Sequence, residues 1–283
     1  MRAYLPDYQC DSAHSLKSAL SVVAQGGKPI AGGTDIMVLF EAGLLPPGRY
    51  VDISRVKELK GIKNSKAEMT LGALSTYSEI RKNPLIQKHF PILCESAKEV
   101  GAVAIQNRGT LGGNIANASP AADFPPGLLV YDAQITLISK QGTRTLDYDQ
   151  FHLGYKKSEL RPDELILSVS IPLKFNRYFH FWKKVGSRRA QAISKTMIAA
   201  IAKLDNKKIE DVRIAFGSVG PTALRCRNVE GFLKGQPLTP ENIKEAKKIL
   251  SSDIKPIDDI RSNAKYRLAV SQNVLEEFLC GIG

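Results

Sequence analysis

Two short glycine pairs carry the most chemically suggestive spacing in the sequence, Ala31-Gly32-Gly33-Thr34-Asp35 and Gly109-Thr110-Leu111-Gly112-Gly113-Asn114. Backbone N–H groups can point at phosphate oxygens only where no side chain blocks the approach, which favours glycine at such positions. The hydroxyls of Thr34 and Thr110 would add donors, and two such loops can grip a pyrophosphate from two sides without a lysine. A single Gly-Gly pair reads more simply as a tight turn. Two pairs, each beside a hydroxyl residue and one beside an asparagine, favour an anion-binding reading over two unrelated turns.

Other chemistries lack their motifs. No GxGxxG opens a helix, so a dinucleotide-binding unit of the doubly wound type is not supported. GxxxxGK[ST], GxSxG and HExxH are all absent. His14, His89, His152 and His180 lack metal-ligand spacing, and Cys10, Cys94, Cys226 and Cys280 form no CxxC pair, so no zinc or iron–sulfur signature is present. The cysteines read as thiols of a reduced cytoplasm.

The elements that must position the loops follow from periodicity. Residues 12–25 read as an amphipathic helix with Leu16, Ala19, Leu20 and Val23 on one face, capped by Asp11 or Ser12 and stopped by Gly26-Gly27. Residues 28–31 form a short strand that runs into the first glycine loop, followed by an apolar helical turn over 36–40. Strands are expected over 49–53 and 69–73, and a helix starts after Ser75 or Thr76. A helix over 91–103 leads into a loop, 108–114, that holds the second glycine pair. Residues 125–131 read as a helix, 134–139 as a strand alternating at period two, and 165–171 as a strand closed by Pro172. A polar stretch at Lys174-Phe175-Asn176-Arg177 marks a domain boundary. Beyond it come a strand, a helix over 195–202, a strand over 212–219, and two helices, 241–250 behind Pro240 and 264–279. Strands and helices cluster rather than alternate, so the fold class is α+β.

The 283 residues suit one large domain or two smaller ones, and 43% hydrophobic content is enough for a core without staples. The N-terminus lacks the apolar run of a signal peptide, and no apolar stretch approaches the length needed to span a bilayer. The net charge of +12 is scattered, with neither an arginine-rich tract nor an aromatic RNA-binding motif, which favours a solvated basic surface or an acidic protein partner over nucleic acid.

The segments 28–35 and 110–114, followed by Ser119-Pro120-Ala121-Ala122-Asp123, resemble the FAD-binding domain of the xanthine dehydrogenases. The same domain serves carbon monoxide dehydrogenases and nicotinate or aldehyde hydroxylases, and is of the type shared with vanillyl-alcohol oxidase and p-cresol methylhydroxylase. Three later segments extend the likeness over nearly the whole chain: Arg161-Pro162-Asp163-Glu164-Leu165-Ile166, the stretch 182–189, and the pattern Asp259-Ile260-Arg261 with Tyr266-Arg267.

The resemblance implies a two-subdomain FAD domain over residues 1–175, divided near 58/59, and a C-terminal α+β domain over 176–283 with an antiparallel sheet, like that of the carbon monoxide dehydrogenase flavoproteins. It implies that Lys28, Pro29, Ile30, Ala31, Gly32, Gly33, Thr34 and Asp35 line the FAD pyrophosphate, mainly through N–H groups, and that Thr110, Leu111, Gly112, Gly113 and Asn114 cover its other side. Asp123 would bond ribityl or ribose hydroxyls, Ile166 would contact the adenine or ring system, and Lys184 would meet the polar edge of the isoalloxazine. Ile193 falls where the family packs a residue against the ring. Each has a structural alternative: Asp123 as a helix cap, Ile166 as strand core, Lys184 as one more solvated lysine whose register Lys183 blurs.

By the same resemblance the chain is the flavin subunit of a molybdenum hydroxylase, most simply a xanthine dehydrogenase. Its FAD takes electrons from [2Fe-2S] clusters in one partner subunit, with molybdopterin in a large one, and passes them to NAD or another acceptor. The expected assembly is a cytoplasmic dimer of heterotrimers. There is no cysteine-rich insertion, unlike the flavin subunits of 4-hydroxybenzoyl-CoA reductases, and no His or Cys in a flavin-attachment motif, so FAD would be held noncovalently. A stand-alone flavin oxidoreductase and a phosphate-recognising module without redox chemistry are the competing readings.

Overall fold

The computed structural model describes residues 7–188 and 191–282; Arg189 of the 182–189 segment and Met1 to Pro6 lie outside it. The chain opens with β1 (Tyr8–Ser12), α1 (Leu16–Val23), β2 (Lys28–Ile30), α2 (Ile36–Glu41) and β3 (Gly48–Asp52). β1 and β2 both pair with β3 in parallel, so these residues do alternate strand and helix, an exception to the clustering expected from sequence. α1 is shorter than its periodicity implies. Ser12 ends β1, and the cap is Ser15, whose hydroxyl accepts from the Ser18 N–H while Ser18 reaches back to the Ser15 N–H. That correction reflects local chemistry, because Asp11 and Ser12 are drawn into the ladder with Val51 and Asp52.

Next come β4 (Ile62–Asn64) and β5 (Glu68–Gly72), then six short helices: α3 (Tyr77–Lys82), α4 (Pro84–His89), α5 (Pro91–Glu99), α6 (Val103–Arg108), α7 (Leu111–Ala116) and α8 (Pro125–Val130). β6 (Gln134–Ser139), β7 (Gly142–Asp147), the small hairpin β8 (His152–Gly154) and β9 (Lys157–Ser158), and β10 (Leu165–Pro172) follow. β4, β5, β10, β6 and β7 form one antiparallel sheet in that order. The single helix expected over 91–103 is interrupted after Glu99, because Gly101 takes a left-handed turn (φ +53°) before α6 starts. The expected loop 108–114 contains the start of α7, capped by Thr110.

The remainder is β11 (Phe179–Val185), β12 (Thr196–Asp205), β13 (Lys208–Gly217), β14 (Leu224–Arg225), α9 (Arg227–Leu233), α10 (Pro240–Asp253) and α11 (Ala264–Gly281), with the strands forming a four-stranded antiparallel sheet in sequence order. The helix expected over 195–202 is strand β12. Its residues Thr196 to Ala202 are all buried, so no alternation marks it, and its alanines favour a helix only in the absence of neighbouring strands. Pairing with β11 and β13 overrides that preference. Alternate residues of β12 serve two cores. Ile198, Ala200 and Ala202 pack with α9, α10 and α11, while Ala199 and Ile201 join the core built on α8, Tyr131 and the five-stranded sheet. Domains joined this way bury a shared apolar layer rather than a flexible linker.

Candidate functional site

A cleft of about 300 Å³ opens where β2, the N-terminus of α2, α7 and the start of β10 converge. Its walls include Pro29, Ala31, Gly32, Gly33, Thr34 and Asp35 from the first glycine loop, Thr110, Gly112, Gly113 and Asn114 from the second, and Ile166. Both glycine loops singled out in the sequence thus line one cleft. Lys28, Ile30, Leu111, Asp123, Lys184 and Ile193 are not part of this lining. Lys28 is exposed beside the Tyr50 ring, Leu111 is fully buried in the core, and Ile193 is exposed.

The two loops touch through backbone. A Cβ on Gly32 would lie 1.9 Å from the Arg108 carbonyl oxygen, and Arg108 Nε donates to Gly32 O at 3.3 Å. Gly33 needs its glycine for another reason, a φ of +76°. Among the described residues, the N–H groups of Gly32, Gly33, Thr34 and Asp35 find no acceptor in the protein. A row of open backbone donors leading into a helix start is a seat for an anion.

The second loop differs from expectation. Its N–H groups are already used: Leu111 donates to Ser75 O (2.9 Å), Gly112 to Ala73 O (2.7 Å), Gly113 to Thr110 Oγ1 (3.1 Å) and Asn114 to Thr110 O (3.0 Å). Its glycines serve close packing, since a Cβ on Gly112 would stand 2.7 Å from the Ala73 Cβ. The second loop is therefore a wall, and what it offers a ligand is the Asn114 side chain, whose Oδ1 is buried without a partner.

Several site residues escaped the sequence reading. Tyr77 lines the cleft at 2% exposure with its hydroxyl beside the Asn114 amide; burial first, then the nearby Asp123 and Asp35 carboxylates, push its ionisation well up, so it stays a neutral phenol. The capping box Thr76-x-x-Glu79 places Tyr77 at the first position of α3, a signal readable in the sequence but silent on the cleft. Glu164, also on the wall, is forked by Arg144 (Nε–Oε1 2.7 Å, Nη2–Oε2 2.9 Å) and accepts the Arg161 N–H (2.9 Å). The Arg144 hydrogen bonds hold that carboxyl below its usual range and fix the start of β10 under Leu165 and Ile166. Asn117, at the end of α7, donates to Asp35 Oδ1 at 2.9 Å.

Asp123 and Lys184 form a buried ion pair (2.7 Å), with Lys184 Nζ also donating to Glu99 O at 3.1 Å. Desolvation raises the Asp123 carboxyl to about 6 against the pull of Lys184, and its Oδ1 is left without a partner. On β11 Lys184 turns inward to Asp123, while Lys183 turns outward to Glu277 (2.6 Å). Lys184 borders a separate hollow with Glu99, Gly186, Arg188 and Ala192.

The donor and acceptor set suits a flavin nucleotide. Open N–H groups match a diphosphate, the unpartnered Asn114 oxygen matches a hydroxyl of a polyol, and Leu39, Ile53, Leu74, Val100, Ile105 and Leu165 give an apolar wall for a planar ring.

Comparison with known proteins agrees. The model of the FAD binding domain in molybdopterin dehydrogenase matches residues 6–174, and that of the CO dehydrogenase flavoprotein C-terminal domain matches residues 181–281. The glyceraldehyde dehydrogenase medium chain of Sulfolobus acidocaldarius is 31% identical over 269 residues, covering 94% of this chain and 95% of the relative. The putative xanthine dehydrogenase FAD-binding subunit of Escherichia coli is 29% identical over 273 residues, covering 94% and 93%. A solved structure of carbon monoxide dehydrogenase from Hydrogenophaga pseudoflava superposes with a TM-score of 0.92 at 26% identity, covering 97% of this chain and 96% of that one.

Proposed function

The chain belongs to the FAD-binding domains of the molybdopterin dehydrogenases, and from that premise we propose that it is the electron-relay subunit of a molybdenum hydroxylase. FAD, when bound, would supply one- and two-electron transfer, and the chain's own residues would hold it. In this reading the N–H groups of Gly32, Gly33, Thr34 and Asp35 bind the diphosphate, with Pro29 and Ala31 beside them and Lys28 and Ile30 as the strand that aims them. Thr110, Gly112, Gly113 and Asn114 form the facing wall, packed through Leu111, and Ile166 would contact the adenine or the ring system. Asp123 and Lys184 stand outside this lining as a preformed ion pair, and Lys184 would meet the polar edge of the isoalloxazine, where its ammonium would lower the cost of negative charge on the flavin. Attachment is noncovalent.

The electrons come from [2Fe-2S] clusters of a partner subunit, ultimately from a molybdopterin subunit, and leave to NAD or another acceptor, in a dimer of heterotrimers. Xanthine or a related purine is the first substrate reading; an aldehyde is the second, supported by the 31% identity to the glyceraldehyde dehydrogenase chain. The observation that carries the proposal is the row of open N–H groups held against the second loop by the Gly32–Arg108 contact. The test is native purification of the complex. The expected result is FAD, iron and molybdenum copurifying with two further polypeptides, and flavin bleaching when xanthine, but not carbon monoxide or nicotinate, is added anaerobically. A chain that purifies alone with FAD favours the stand-alone oxidoreductase, and bleaching by glyceraldehyde alone moves the substrate to the aldehydes.

A further inference from the structure

The hairpin β8–β9 belongs to neither glycine loop, yet three of its donor groups end on carbonyls at and just past the C-terminus of α7. His152 Nε2 meets Ile115 O at 3.0 Å, the Lys156 N–H meets Ala118 O at 3.3 Å, and Lys156 Nζ meets Asn117 O at 2.8 Å. A helix C-terminus presents unpaired carbonyls and partial negative charge, so an ammonium suits it. Lys156 (φ +55°) and Ala118 (φ +47°) both adopt the left-handed conformation that non-glycine residues rarely take, and they are hydrogen-bonded to each other. The hairpin is thus locked onto the end of α7.

The same ammonium has a second consequence. Lys156 Nζ lies 2.6 Å from Asn117 Oδ1. An ammonium only donates, so the Asn117 amide must turn its oxygen toward Lys156, which leaves its NH2 facing Asp35, 2.9 Å from Oδ1. Asp35 occupies the N-cap position of α2 but makes no cap with its side chain. Its backbone there is helical (φ −91°, ψ −37°), and the Met37 N–H already donates to Gly33 O at 2.9 Å, so the carboxylate has no ordinary helix cap to make. Asp35 itself belongs to the open row of Gly32 to Asp35, so a carboxylate released from Asn117 stands beside those N–H groups as an internal competitor for an incoming anion.

We propose that Lys156 is a positioning residue for FAD: it orients the Asn117 amide, which holds the Asp35 carboxylate on the α7 side, away from the donors the diphosphate takes. The inference rests on the reading of the cleft as the FAD site. No direct contact between Lys156 and the ligand is required, which separates this role from that of an ordinary phosphate-binding lysine.

The test is the FAD dissociation constant of the purified apo full-length chain, read by quenching of flavin fluorescence, for wild type, Lys156→Met, Lys156→Arg, Asn117→Ala and the Lys156→Met/Asn117→Ala double variant. Lys156→Met is expected to weaken FAD about tenfold, Lys156→Arg less than about threefold, and Lys156→Met in the Asn117→Ala background less than about twofold more. The Lys156→Met penalty is expected to persist at high salt, which would screen a direct charge effect. An unchanged affinity in Lys156→Met, a full tenfold loss in the Asn117→Ala background, or a penalty that disappears with salt would each overturn the relay. Thermal unfolding of each apo variant checks folding, and Lys156→Gln replaces Met if that variant does not fold. If wild type itself fails to bind FAD, the proposed function falls; if wild type binds and Lys156→Met binds equally well, only the relay falls.

Discussion

Replacing Gly32 by alanine tests the contact that joins the two loops. The new methyl carbon would stand 1.9 Å from the Arg108 carbonyl oxygen, 2.7 Å from its carbon and 3.1 Å from the Gly109 Cα, all backbone atoms with no rotamer to yield. Restoring ordinary contact requires the loops to part by about 1.5 Å, and overpacking of that kind costs about 1–3 kcal/mol. The displacement also turns the N–H row away from the facing wall. A charge-assisted hydrogen bond contributes about 1.5–3 kcal/mol, so losing one or two weakens FAD by about tenfold to 10⁴-fold. Gly33→Ala is the contrast: only Met37 Cγ (3.9 Å) and Ile30 Cγ2 (4.0 Å) lie near its Cβ, and the cost is that of an L residue at φ +76°, about 1–2 kcal/mol. Titration of apo protein with FAD, beside thermal melts of both variants, reads the two effects separately. Gly32→Ala binding FAD within about threefold of wild type would refute the claim that the loop contact shapes the site.

Three further outcomes follow from the geometry. Thr110→Val removes the hydroxyl that accepts the Gly113 N–H at the start of α7, and urea denaturation should show a loss of about 1 kcal/mol. Glu230→Gln breaks the buried pair with Arg225 (2.6 Å) and weakens the acceptor of the Ile214 N–H; since Asp132 and Leu129 O still face Arg225, the loss should be about 2–3 kcal/mol, below that of a fully orphaned charge. His180 sits against Tyr131 (Nδ1–OH 2.9 Å), and burial lowers its ring from 6.5 to about 4. Its folded value is depressed, so the stability it contributes is present above 6.5 and is lost as pH falls through about 4. Asp123 runs the other way, its raised carboxyl contributing most below 3.8 and losing that contribution as pH rises through about 6. The difference in denaturation midpoint between wild type and His180→Gln across this range isolates the histidine; a difference independent of pH would contradict the assignment.

The loops were legible because glycine pairs beside hydroxyl residues have few other uses, and most amphipathic helices and alternating strands fell near their predicted places. What the sequence did not reveal was division of labour. Gly32-Gly33 leaves its donors open while Gly112-Gly113 spends them on Ser75, Ala73 and Thr110, a difference set by partners distant in sequence. Tyr77, Glu164, Asn117 and Lys156 carry no motif of their own, because their roles arise only when α3, β10 and the β8–β9 hairpin are folded against α7. β12 read as a helix because burial on both faces removes the period-two signal. The resemblance assigns Asp123 and Lys184 to the ligand; that they also pair with each other left no signal in the sequence.

The central claim, that the first glycine loop seats the FAD diphosphate through its backbone, is tested most directly by a structure of the full chain with FAD bound. Phosphate oxygens within about 3 Å of at least two of the N–H groups from Gly32 to Asp35, with none on those of Leu111 or Gly112, are the expected result. A diphosphate seated elsewhere, with that N–H row still open, would contradict it.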